Sequence, residues 1–276
     1  MAHGTPEQQQ RWLPGILDAS LLFCQLFSEP GAGSDLANVA TTARRTDGGW
    51  VLDGQKVWTS YAQFADWGLC LARTDPTAAR KQAGISAFVV DMRAPGVDIR
   101  PLRQITGESD FNEVFFDEVF VPDDDVVGPV GQGWTVARAT LGNERVSIGA
   151  GSRSTLPAAA LYALHDELAA GESALHHKIS ALVAEEHSMR LLNIRAAFRA
   201  VVGAGPGPEG NLTKLLSAEH AQAITEVGMQ IAGVAALTGA TPATSTLAFE
   251  YLFARCLSIA GGTSEITRNV IAERLL

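Results

Sequence analysis

Cysteine is scarce in this chain: Cys24, Cys70 and Cys256 are the three thiols in 276 residues. An odd and widely spaced set excludes a small disulfide-stapled scaffold. Basic residues are in deficit, 21 Lys and Arg against 30 Asp and Glu, for a net charge of −9. Nothing global therefore draws the chain to nucleic acid or to an anionic membrane, and an anionic ligand needs local arginines or helix N-termini. Long apolar runs are missing too. The best, Leu21 to Phe27 and Gly228 to Leu237, are interrupted by Gln25 and Gln230 and fall short of the roughly 20 residues of a membrane span. The first residues lack the basic and apolar regions of a secretory signal. The expected location is cytoplasmic, with no membrane span.

What is present is the composition of a globular chain: 46% hydrophobic and 18% charged, with 27 Gly and 12 Pro. Disorder and collagen-like repeats are excluded. The length suits one large domain or two to three smaller ones. Thr5-Pro6 reads as a helix start, cap then first helical residue. Only about a dozen helical residues follow, marginal unless something packs on them. From about Ser20 to Pro122 the text is strand-like. Asp47-Gly48 and Asp53-Gly54 both signal tight hairpins, because Asp-Gly supplies the positive φ such turns need. Gly84 to Asp91 and Asn112 to Val121 read as further strands of a small barrel or sandwich.

After Gly133 the period changes to three and four. Ile179, Leu182 and Val183, then Leu191, Ile194, Phe198 and Val201, mark one apolar helical face; Leu212, Leu216, Ile224, Val227 and Ile231 mark another. Long helices are expected near 133–169, 173–203 and 208–238, with shorter ones near 243–257 and 264–276, forming an antiparallel bundle. The predicted fold class is α+β, mainly α: 1–19 the remnant of an N-terminal helical domain, 20–128 a central β domain, 129–276 a C-terminal helical bundle.

Three clusters carry chemistry. Ser28 to Asp35 (SEPGAGSD) is a loop whose backbone N–H groups at Gly31, Gly33 and Ser34 can approach a ligand closely. Further strand signals follow it, so it is no dinucleotide fingerprint. Gly54 to Ser60 (GQKVWTS) puts Trp58 and small hydroxyls on a strand, either as core and edge or against an aromatic ligand. Ala260 to Ile266 (AGGTSEI) reads as a helix cap, and also as free N–H groups at Gly261 and Gly262 able to meet a polarised carbonyl. Asp123-Asp124-Asp125 reads as a solvated turn. His165, His187 and His220 lack metal-ligand spacing, so no metal site is expected.

Together with Phe116 to Pro122 and Arg268, these motifs resemble the acyl-CoA dehydrogenase family, in order and spacing over nearly the whole chain. The resemblance implies an N-terminal helical domain, nearly all missing here, followed by a β domain and an oligomerising helical bundle. It implies FAD, an acyl-CoA substrate and an electron-transfer flavoprotein. It assigns Phe27, Ser28, Gly33, Ser34, Trp58, Ser60, Gln230, Gly233, Thr263 and Glu265 to the flavin, and Ser34 and Arg145 to the substrate. Many members carry their base immediately before the Gly-Thr of the last motif, where this chain has Gly261. A second branch carries it on the first bundle helix before an arginine, which makes Glu144, followed by Arg145, the expected base. Read alone, Glu144 is an ordinary helix-surface carboxylate. Gly261 then offers its N–H to the thioester oxygen. Where the family shows an arginine and glutamine, this chain reads Leu175-His176-His177-Lys178. Two other readings stay open: a non-catalytic subunit of a homo- or hetero-oligomer, lending flavin contacts to a complete partner, and a flavin monooxygenase or oxidase on the same scaffold.

Overall fold

A computed structural model describes residues 2–149, 156–203 and 209–275; the side chains of 143–149, 200, 209, 274 and 275 lie outside that description. The chain divides into two compact units, Met1–Thr140 and Leu141–Leu276.

The first unit opens with α1 (Pro6–Leu17), where Thr5 accepts the Gln8 N–H and Gln8 answers on the Thr5 N–H, a reciprocal cap. Tertiary contacts secure so short a helix. Gln8 Nε2 donates to the carbonyls of Asp124 (2.7 Å) and Val126 (2.8 Å). Trp12 is buried, its ring 6.1 Å from Phe23 and 6.0 Å from Trp67. Arg11 meets Asp125 at 2.6 Å. The acidic triplet is a solvated turn at Asp123 and Asp124, which are exposed, Asp123 pairing with Arg45, but not at Asp125, which is buried beneath Arg11.

Eight strands follow: β1 (Phe23–Leu26), β2 (Thr42–Thr46), β3 (Gly49–Ser60), β4 (Trp67–Arg73), β5 (Ile85–Asp91), β6 (Val97–Leu102), β7 (Phe111–Pro122) and β8 (Val126–Val127). They form one sheet in the order β6-β7-β3-β2-β4-β5-β8, with β1 parallel beside β4. Leu26, Leu52, Cys70, Phe88, Val90 and Val114 centre its core. Asp47-Gly48 makes the expected hairpin, with Gly48 at φ 73°.

Asp53-Gly54 does not. It lies inside β3, where the pairing with β7 slips between Leu52 and Gly54, so the glycine serves a β-bulge rather than a turn. Gly54 has φ 153°, and a Cβ there would come within 2.7 Å of Thr41 Cα. Gly54→Ala is expected to destabilise the chain by about 2 kcal/mol, read as a lower urea midpoint with an unchanged slope.

The second unit is helical. The run α2 (Gly133–Gly149) leads into it, followed by α3 (Ala160–Leu168), α4 (Ser173–Val201), α5 (Glu209–Ala232), α6 (Val234–Thr238), α7 (Pro242–Leu257) and α8 (Ser264–Leu275). The helix expected over 133–169 is two helices. Pro157, which lacks an amide proton to continue one, stands before α3. The helix expected over 208–238 breaks at Gly233, whose φ 50° and ψ −127° no helix accommodates. Ile179, Leu182, Ile224, Val227 and Ile231 form the expected core with Leu161 and Leu247. Leu191, Ile194, Phe198 and Val201 do not join it. They stand exposed along the later turns of α4, Phe198 at 66%.

Candidate functional site

In the sheet unit, the end of β3 and the loop after β1 are joined by backbone. Val57 N–H donates to the Ser28 carbonyl at 2.9 Å, and Glu29 and Ala32 exchange hydrogen bonds of 3.1 and 3.0 Å across Pro30-Gly31. Phe27 is buried, Ser28 half-buried, and Gly33 and Ser34 exposed. A Cβ added at Gly31 or Gly33 would meet nothing within 4 Å, so open space lies above both. A second slip in the β3–β7 register falls between Lys56 and Thr59. It brackets Trp58, which takes φ 60° and is 62% exposed, its ring edge-on to Phe111. A left-handed backbone at a large aromatic residue is strained, of order 1–3 kcal/mol, and such strain concentrates at functional sites. Tyr61 repeats it at φ 55°. Beneath them the Thr59 hydroxyl is buried without a partner. Ser60 closes the strand, exposed.

In the helical unit, Gly261, Thr263 and Glu265 share the turn into α8. Gly261 and Gly262 lie at φ 68° and 103°, a consecutive left-handed pair that side chains larger than hydrogen resist. Thr263 Oγ1 accepts the Ile266 N–H at 3.3 Å, so the cap reading of this motif holds geometrically. Glu265 is held below the ordinary carboxylate range by its own backbone N–H and by Thr263. Gln230 and Gly233 are exposed near the end of α5, and Lys178 Nζ donates to Gln230 Oε1 at 2.8 Å. His176 packs on Tyr162 (5.1 Å) and His165 (5.7 Å), while His177 turns to the Ser173 carbonyl. Glu144 and Arg145 lie on the α2 backbone, and their side chains fall outside the described residues.

Three residues escaped sequence reasoning as site elements. Lys56 and Glu29, quoted inside motifs but given no role, form a buried ion pair of 2.7 Å. Lys214, on α5, is buried, and its Nζ donates to the Gly262 carbonyl at 2.5 Å. The signal for Lys214 is weak: a lysine on a helical face otherwise filled by Ala218 and Ala221.

A folded eight-stranded sheet followed by a helical unit is a two-domain architecture with known counterparts. The acyl-CoA dehydrogenase middle-domain family matches residues 24–119, and the acyl-CoA dehydrogenase C-terminal-domain family matches residues 131–276. Acyl-CoA dehydrogenase FadE34 of Mycobacterium tuberculosis is 47% identical over 276 residues, covering 100% of this chain and 38% of that protein. Acyl-CoA dehydrogenase IpdE1 of the same organism is 42% identical, covering 100% of this chain and 72% of its own length. The solved ChsE4-ChsE5 complex from Mycobacterium tuberculosis superposes with TM-score 0.83 at 29% identity, over 100% of this chain and 74% of the matched one. The chain belongs to the acyl-CoA dehydrogenase family. Among the described residues no helix is long and apolar enough to cross a membrane.

Proposed function

We propose that this chain supplies the middle and C-terminal parts of an FAD-dependent enzyme that introduces a double bond between the α and β carbons of an acyl-CoA thioester. The observation that carries the reading is the exposed, left-handed Trp58, set beside a glycine loop with open space above it, in a chain of this family. That edge fits a planar aromatic cofactor. The indole offers a ring face, Gly33 and Ser34 offer backbone N–H groups, and the buried Thr59 hydroxyl lacks a partner. Phe27, Ser28 and Ser60 complete this half. The family resemblance assigns Gln230, Gly233, Thr263 and Glu265, in the helical unit, to a flavin as well.

When bound, the flavin supplies a hydride acceptor for the β-carbon. The rest of the chemistry belongs to this chain. Glu144 takes the α-proton, and the Gly261 N–H donates to the thioester oxygen, where negative charge develops as that proton leaves. Lys214 holds the neighbouring carbonyl of Gly262, which keeps the glycine turn from rotating. Arg145 and Ser34 orient the substrate, with Arg145 a charge beside the base rather than an acid or base itself. We read 1–19 as the end of an N-terminal helical domain, 20–128 as the β domain and 129–276 as the bundle. An electron-transfer flavoprotein as electron acceptor, a homo- or hetero-oligomer and a cytoplasmic location belong to the same proposal.

A second reading has a specific observation behind it. Gly261 stands where many family members carry their carboxylate, which suits a subunit that lends contacts to a complete partner; the ChsE4-ChsE5 structure that this chain resembles is a complex of two named chains. One measurement tests both. The purified chain, loaded with FAD and freed of excess by gel filtration, is expected to retain visible flavin absorption that bleaches when acyl-CoA is added anaerobically. Bound flavin that no acyl-CoA bleaches would favour the non-catalytic reading, and a colourless chain would count against the flavin site itself.

A further inference from the structure

Two charges at the centre of the sheet unit take no part in this chemistry. Lys56 is 0% exposed, yet its Nζ donates to Glu29 Oε1 and to the Leu71 carbonyl, both at 2.7 Å, and to the Phe27 carbonyl at 3.3 Å. An ammonium has three protons, and each has an acceptor. Glu29 is equally committed. Its Oε1 also accepts the Thr41 N–H at 3.0 Å, and its Oε2 accepts the Ala40 N–H at 2.5 Å. Burial alone would push the Glu29 carboxyl up, but the Lys56 charge and the hydrogen bonds from Lys56, Thr41 and Ala40 outweigh it and hold the carboxyl below its ordinary value. It is a carboxylate at neutral pH.

Buried ion pairs are a poor means of stability, since apolar residues of similar volume fill the same space without desolvating two charges. What an apolar pair cannot do is hold backbone groups by direction. This pair ties the carbonyls of Phe27 and Leu71 and the amides of Ala40 and Thr41 to β3. The loop is thereby pinned on either side of the Gly31–Ser34 turn, of which Gly31, Gly33 and Ser34 are exposed. The Ser28 carbonyl, between the two pinned residues Phe27 and Glu29, receives the Val57 N–H. Val57 directly precedes Trp58, whose strained φ needs neighbours that over-determine it.

We propose that Glu29 and Lys56 are positioning residues that set the Ser28–Ser34 loop and the Trp58 backbone in their ligand-ready geometry before anything binds. The inference rests on the flavin reading for what the edge receives, and on geometry alone for the edge being pre-set.

The double variant Glu29→Gln/Lys56→Met carries the test, because it removes both charges together and strands neither. A purely structural pair predicts a folded protein with native amide protection and native flavin affinity. A positioning pair predicts something else: a melting temperature close to that of the unaltered chain, but about tenfold faster hydrogen exchange at the Val57 amide and about tenfold weaker FAD binding. The Val57 amide is the telling one, since neither side chain touches it. Glu29→Asp keeps the charge and withdraws it by one methylene. It should retain stability and still weaken FAD binding several-fold, which covers the case of a double variant that does not fold. Val57 exchange and FAD dissociation constants within twofold of the unaltered chain would overturn the proposal. Should the unaltered chain take up no FAD, the functional reading fails while exchange at Val57 still judges the pre-set edge.

Discussion

Glu144→Gln is expected to lower α,β-dehydrogenation by about 10³-fold while leaving bound flavin and melting temperature unchanged. The magnitude separates two roles for the same residue. A positioned general base contributes about 10² to 10⁴ in rate, and 10³ corresponds to about 4 kcal/mol of transition-state stabilisation. A helix-surface carboxylate paired with a cation contributes about 0–1 kcal/mol, to folding only. Glutamine preserves shape and loses only the capacity to accept a proton, so the two roles predict results three orders of magnitude apart. Rates are to be measured with an artificial electron acceptor, which removes dependence on any electron-transfer partner. Undiminished turnover would take the base away from Glu144 and leave Gly261 without a chemical companion.

Gly133→Ala should cost about 3 kcal/mol of stability, at the upper end of what overpacking costs. A Cβ at this position would lie 2.4 Å from the Ser86 carbonyl carbon and 2.7 Å from the Ala87 nitrogen. Both belong to the backbone of β5, whose neighbours are β4 and β8, so neither can swing aside as a side chain would. The start of α2 must move instead. That helix carries Glu144, the base of the proposed reaction, and misplacement of a reacting group by about 1 Å is worth about 10²-fold in rate. Gly133→Ala is therefore expected to lower the urea midpoint and turnover together. A midpoint unchanged from the parent would mean that α2 does not bear on β5 at this glycine.

Periodicity and turn chemistry made much of this fold legible. Asp47-Gly48 declared its hairpin because a two-residue connection needs positive φ there, and the residues around it alternate. Asp53-Gly54 carries the same letters and means a bulge. The difference lies in β7, whose Glu118, at φ 51°, donates its N–H to Asp53 Oδ1 across the slip. No local pattern contains that partner. Lys56 is illegible for a different reason. Leu52 faces the core, two strand steps further on Lys56 faces it too, and an inward lysine reads as an error unless its acceptors at residues 27, 29 and 71 are known. Along α4 the three- and four-residue spacing identified one face correctly but not what that face meets. Ile179 and Leu182 meet α5 and its neighbours, while Leu191, Ile194 and Phe198 meet solvent. In the site, Trp58 and Gly261 stand out as letters. Their left-handed backbones do not, because tertiary pairing imposes them.

Two of the three thiols sit where the sheet is best packed. Burial pushes Cys24 up to about 12, with Cys70 beside it adding to the effect. Burial pushes Cys70 up to about 11 despite the opposing charge of Lys56. Both sulfurs stay protonated, and therefore unreactive, at any pH a protein chemist would use for alkylation. Cys256, on α7, is half-buried. A maleimide dye should accordingly attach to the folded chain at no more than one place, and the second and third equivalents should enter only as the sheet opens. Labelling stoichiometry followed by intact mass would then count, molecule by molecule, how much of a preparation holds its β core.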